Sequence, residues 1–198
     1  MKIKITLTDE MLGTQCANKE VHEEYIASKS KDAAKVAEEL EALPAEALMD
    51  KAVTVFPREN GVPFIWDYQI KGFVKEAMAV LLDLSDKEIR VGKTKLSKYT
   101  VKRLVDSYIF VTPRKIMIPG DLGPICTRPL RAMTMQGERV SLASSETIPE
   151  GRSFECEIVT LAPALLPLIV DALDYGRNKG LPQWRNSGKG RFAWEEVK

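Results

Sequence analysis

An α+β fold is predicted by three observations. The chain opens with a strand of period two, it carries two apolar-faced helices far apart in sequence, and β-branched runs crowd the stretch between them. Its 198 residues, 44% hydrophobic and 29% charged, suit an ordinary globule that buries about two-thirds of its unfolded surface.

The elements follow in order. Lys2-Ile3-Lys4-Ile5-Thr6-Leu7-Thr8 alternates and reads as a half-buried strand. The mixed polar stretch up to Ser30, with Gly13 and Asn18, reads as a long loop. Ser30 then caps a helix to Leu43 with Val36, Leu40 and Leu43 on one face, and Pro44 interrupts it before a short turn to Met49. This acidic stretch of about 30–50 is read as a helical insertion. Val53-Thr54-Val55-Phe56 is followed by a turn at Asn60-Gly61 and by the apolar Phe64-Ile65-Trp66. Asp67 is placed as the cap of a helix that repeats Ile70, Val74, Ala77, Met78 and Leu81. A basic insertion, helix or flap, is expected at about 85–103. Strands are expected near Val105–Val111, Lys115–Ile118, Arg128–Met135, Arg139–Ile148 and Phe154–Leu161. A final helix spans Ala162 to Tyr175, with Pro163 early and Gly176 closing it, before a last strand at Arg191–Val197. Stripped of insertions, the order is β-α-β-β-α-β. That is a ferredoxin-like (RRM-like) pattern, read as one domain over 1–198 with both helices on one sheet face.

Chemistry has little material. One histidine, His22, lies among acids, so neither a Ser-His-Asp triad nor a histidine zinc cluster is expected. Cys16, Cys126 and Cys156 are an odd set without metal-ligand spacing, expected to be reduced thiols in a cytoplasmic protein. Phosphate-cradling motifs of the G-x-x-x-x-G-K-[ST] and G-x-G-x-x-G types are absent. The acidic pairs Glu23-Glu24, Glu38-Glu39 and Glu195-Glu196 are adjacent, and adjacent side chains diverge on helix and strand alike. No catalytic residue, metal or cofactor is therefore expected. No apolar run approaches the roughly 20 residues that cross a bilayer, so no membrane partner is expected either.

Charge is unevenly spread beneath a formal total of +1. Acids outnumber bases about two to one from Lys19 to Asp50, whereas Lys93 to Arg103 is purely basic among its charged residues. Gly176 to Phe192 holds five basic residues and no acid: Arg177, Lys179, Arg185, Lys189 and Arg191. Within it Gly180, Gly188 and Gly190 permit close backbone approach and let main-chain amides face a phosphate. Trp184 offers a face for a base. Alternatively the segment is only a glycine-rich connection with Trp184 plugging the core.

Gly-Leu-Pro-Gln-Trp-Arg-Asn-Ser-Gly-Lys-Gly-Arg-Phe, at 180–192 between a helix and a closing strand, resembles the C-terminal glycine-rich loop of the RAMP superfamily. Those are the ferredoxin-like RNA-binding proteins of CRISPR effector complexes. Two stretches are similar in the same order: Asn60 to Phe73, with its Pro-aromatic-Ile strand and Lys71-Gly72 on the helix, and Glu146 to Phe154, of the form Glu-x-Ile-Pro-x-Gly-x-x-Phe. The backbone-subunit branch, whose members line up along a guide RNA, is the nearest in pattern. Asp67-Tyr68-Gln69 replaces the usual small pair, Pro182 stands where a further glycine is common, and 30–50 has no counterpart. These departures point to a stand-alone or phage/mobile-element relative.

The resemblance implies non-catalytic binding of single-stranded RNA and docking on further copies or on CRISPR backbone subunits. It adds Lys71 and Lys75 on the first core helix, and Arg128 and Arg131 around Pro129-Leu130, to the loop residues as contacts; each also reads as an ordinary surface residue. Tyr68 is a second stacking candidate. Other readings stay open: a phage-borne anti-defence protein mimicking a backbone subunit, a metal-dependent ribonuclease using acids such as Glu20, Glu23 or Glu24, and a nucleotide-sequestering protein.

Overall fold

The computed structural model describes residues 1–17, 53–85, 88–134 and 137–197. The acidic insertion expected at 30–50, His22 and the acids near it lie outside these residues.

Four strands build the central antiparallel sheet in the order β15-β1-β14-β9: β1 (Lys2–Leu7), β9 (Ile109–Thr112), β14 (Ser153–Thr160) and β15 (Phe192–Val197). Helix α1 (Asp67–Leu84) joins β1 to β9, and α3 (Leu166–Asp174) joins β14 to β15. The α+β, ferredoxin-like core is therefore as expected, with the two middle strands β1 and β14 in register Ile3↔Cys156 and Ile5↔Phe154.

Alternation decides the faces. Ile3, Ile5, Leu7, Ile109, Val111, Phe154, Ile158 and Phe192 are buried on one side. They share one core with Ile70, Phe73, Val74, Ala77 and Met78 of α1 and Leu168, Ile169, Ala172 and Leu173 of α3. The Phe73 and Phe192 rings meet edge to face at 5.2 Å, joining helix to sheet. Burying one such side chain contributes about 1.5–3 kcal/mol. The opposite face is polar. Lys4 pairs with Glu195 at 3.1 Å, and Thr6 hydrogen-bonds Ser153 at 2.9 Å.

Insertions form smaller sheets beside the core. β5 (Arg58–Glu59), β6 (Val62–Trp66) and β10 (Lys115–Met117) make one; β3 (Gln15–Cys16), β4 (Val53–Val55), β11 (Cys126–Thr134) and β12 (Gly137–Ser145) make another. β2 (Met11–Leu12) pairs with β13 (Thr147–Ile148), and β7 (Arg90–Val91) with β8 (Thr94–Lys95). The Glu146 carboxylate ties these layers together. It accepts the Phe56 amide at 3.0 Å and the Arg58 guanidinium at 2.5 Å.

One expected strand is shorter than its sequence suggested. Helix α2 occupies Thr100–Tyr108 and the strand begins only at Ile109. Val101, Leu104 and Val105 recur at helical spacing and are buried, so packing overrides the strand preference of the two β-branched valines. Asp67 is the first residue of α1 rather than its cap. The Trp66 amide before it is satisfied by Gln69 Oε1 at 3.0 Å. Among the described residues no helix is long and apolar enough to cross a membrane.

Candidate nucleic-acid interface

The open face of an RRM-type sheet binds RNA through aromatic side chains. Here that face carries Lys2, Lys4, Thr6, Glu155, Glu157 and Glu195, with Phe110 at its edge. A row of carboxylates repels a polyanion. The concave cationic surface lies elsewhere, along the outer side of α1.

Three cavities adjoin there and all include Glu76. One of 540 Å³ is lined by Lys75, Ala79, Asp83, Lys98, Tyr99 and Lys102 among others. A second, of 240 Å³, lies between Tyr68, Gln69, Gly72 and Pro182. The third, of 400 Å³, is walled by Lys179, Gln183, Trp184, Arg185 and Asn186. From Tyr68 to Asp83 the groove follows α1 for about 22 Å, at the α-helical rise. Its charged lining comprises five cations, Lys75, Lys98, Lys102, Lys179 and Arg185, and two carboxylates, Glu76 and Asp83.

Gly72 sits where α1 forms the floor. A Cβ there would meet nothing within 4 Å, so no packing constraint demands glycine at a mid-helix site where it costs about 1 kcal/mol relative to alanine. Its effect is to leave the floor bare.

Glu76 is the electrostatic hub. Its Oε1 accepts Lys179 Nζ at 2.5 Å, and its Oε2 meets Arg185 Nη1 at 2.5 Å. Burial pushes the carboxyl up, but the Lys179 hydrogen bond and the charges of Arg185 and Lys179 outweigh it. The net result lies below the usual carboxylate range. Lys98 bonds Asp83 at 2.9 Å and lies 5.4 Å from the Tyr99 ring, which is largely exposed.

The glycine-rich segment has a different internal logic from an open phosphate cradle. It folds back on itself: Leu181 N–H donates to the Gly190 carbonyl, Gly190 N–H to the Glu10 carbonyl, and Gly188 N–H to the Arg185 carbonyl. A Cβ on Gly190 would stand 1.7 Å from the Leu181 oxygen, and one on Gly180 2.1 Å from the Lys189 oxygen. These glycines let two backbone passes touch. Gln183 hooks the loop to the body, its amide donating to the Gly13 carbonyl and to the hydroxyls of Thr54 and Ser145.

The expected contact residues divide accordingly. Lys75, Lys179, Trp184 and Arg185 line the groove. Lys71 does not line these cavities; its Nζ donates to the Asp106 carbonyl at 3.0 Å and lies over Phe110. Lys189 is held by Glu10 at 2.7 Å and Asp9 at 3.4 Å, and the Glu10 hydrogen bond raises its pKa. Arg177 stays exposed near Asp174, and Arg191 folds its guanidinium over Gly188. Arg131 is exposed on the β11–β12 hairpin across from Val140. Arg128 is buried, with its guanidinium 4.7 Å from the centre of the Trp184 ring. Trp184 itself is 39% exposed, so it does not plug the core.

Sequence reasoning missed Glu76, Gln183 and Tyr99 as site residues, and named Gly72 only as part of a motif. Only the purely basic run 93–103 signalled Lys98 and Lys102. Glu76 meets its partners across more than one hundred residues, a pairing no local pattern encodes.

No family model and no curated protein matches the sequence. Among solved structures, a chain of the cryo-EM structure of the Type III-B Cmr-beta bound to cognate target RNA aligns with 100% of this chain. The TM-score is 0.54 at 13% identity, and the alignment covers 58% of that neighbour's length. At this identity the likeness establishes a shared fold.

Proposed function

We propose that this chain is a RAMP-like, non-catalytic binder of single-stranded RNA, with the strand lying along α1. The observation that carries the reading is the groove itself. Its three adjoining cavities share Glu76, carry a cationic excess, and include the accessible indole of Trp184. Phosphates would meet Lys75, Lys98, Lys102, Lys179 and Arg185, while bases face the apolar lining. The three motifs that resemble the RAMP superfamily support this, as does a fold shared with a chain from an RNA-bound complex. Charge and stacking surfaces dominate, so sequence preference is weak.

The test is fluorescence anisotropy with a labelled single-stranded RNA and its duplex over a salt series. Three to five phosphate contacts give a log–log slope of about −2 to −3.5 for the single strand. The duplex binds less tightly. Equal preference for duplex, or no salt-dependent binding of either RNA, overturns the reading.

A further inference from the structure

We infer that Trp184 and Arg128 form a built platform for one unpaired nucleobase. Trp184 is the stacking surface and Arg128 the positioning residue that holds it from beneath. The inference rests on the RNA-binding reading above and names what the loop end of the groove recognises.

The first observation is the backbone of Trp184. Its φ of 51° and ψ of 33° place it in the left-handed region, which L-residues, unlike achiral glycine, occupy at a cost. A glycine would sit there without strain, in a loop that already uses glycine for such positions. A tryptophan that is neither core nor comfortable is held for its side chain, and strained residues of this kind cluster at ligand sites.

The second observation is Arg128. It is 8% exposed, and it forms no ion pair with a described residue. Its Nη1 donates to Ser145 Oγ at 3.0 Å, and its Nε has no hydrogen-bond partner. A buried cation is costly without a counter-charge, and among the described residues the indole face is the group that supplies one. Ser145 Oγ also accepts the Gln183 amide at 3.3 Å and bonds Thr54 at 2.7 Å. Arginine, tryptophan and loop hook are thereby fastened to the same two strands.

The third observation is the cavity that the ring lines. Trp184 lines the 400 Å³ cavity with Lys179, Arg185 and Asn186, and Arg128, which packs on the ring, is not part of that lining. A base entering this cavity stacks on the open ring face. Its flanking phosphates reach Lys179 and Arg185, and Asn186, in the same lining, supplies an amide for its polar edge.

The experiment compares single-stranded RNA with an abasic ribose-phosphate oligomer of equal length, by anisotropy with the full chain. The wild type is expected to prefer the base-bearing strand by about 5- to 150-fold, the range of one base–aromatic stack or more. Trp184→Gly suits the left-handed backbone and so keeps the loop. It should lose most of the wild type's preference for the base-bearing strand. Arg128→Lys preserves charge but not the planar contact, and should lose most of the preference while leaving abasic binding unchanged. Equal wild-type affinity for the two strands, or an undiminished preference in Trp184→Gly, overturns the platform while salt-dependent binding of both leaves the RNA reading standing. Binding of neither strand overturns both.

Discussion

Glutamine at position 76 is the substitution that most sharply separates a latent phosphate site from a purely structural ion-pair cluster. Glu76 holds Lys179 and Arg185 at 2.5 Å each, with the three side chains between 22% and 35% exposed. Such half-exposed bridges contribute about 0.2–1 kcal/mol apiece after solvent screening. A phosphate that takes these cations must displace the carboxylate, so Glu76→Gln removes a competitor worth about 0.5–2 kcal/mol. RNA affinity should rise roughly 2- to 30-fold, at a folding cost of about 1 kcal/mol. One extra net positive charge in the groove should also steepen the single-strand salt slope by about 0.7. The sign of the pH effect is fixed by the lowered pKa of Glu76. Its contribution to stability is present above the unfolded-state pKa and is lost as pH falls through the depressed folded value. The wild type should accordingly lose stability in acid faster than Glu76→Gln. Anisotropy titrations at four salt concentrations, with thermal melts alongside, read both effects. Weaker binding by Glu76→Gln with an unchanged slope would refute the reasoning, because the carboxylate would then be supporting the RNA site rather than occupying it.

Three further outcomes are expected. Gly72→Ala should raise stability by about 0.5–1 kcal/mol, since its Cβ meets nothing, whereas Gly72→Phe should fold normally yet lose RNA affinity by filling the groove floor; melts and titrations check the pair. Gly190→Ala should cost about 2 kcal/mol or more, because φ is +70° and the Cβ collides with the Leu181 carbonyl; a denaturant midpoint unchanged from wild type would contradict the account of the loop. Burial pushes the Cys156 thiol up to about 12, so mass spectrometry after alkylation at pH 8 should find Cys156 unmodified in the folded protein, with labelling appearing only on unfolding.

The core was legible because it rests on local periodicity. Period two in Lys2–Leu7 and helical spacing from Ile70 to Met78 each announce one buried face, and both faces are where they were expected. The second half of helix α2 was misread as strand from Val105 onward, because Val105, Ile109 and Val111 are all β-branched. Only the burial of Val101, Leu104 and Val105 on one face decides for helix up to Tyr108. The groove was half legible. Composition singled out Lys179, Trp184 and Arg185, and the chain does bring them to one wall. Composition could not separate Arg191, lying over Gly188, from Arg185, facing the cavity. Nor could it show that Arg128 supports an indole. The glycines mislead for a related reason: freedom of φ serves contact between two backbone passes as readily as contact with phosphate.

The central claim is that RNA runs along α1 and not across the open sheet. Ultraviolet cross-linking of bound single-stranded RNA, with mass-spectrometric mapping of the attached peptides, tests this most directly. The account predicts cross-links at 68–83, 98–102 and 182–186, with Tyr68, Tyr99 and Trp184 foremost. Cross-links concentrated on the sheet face, at Lys2, Lys4 and Phe110, would contradict it.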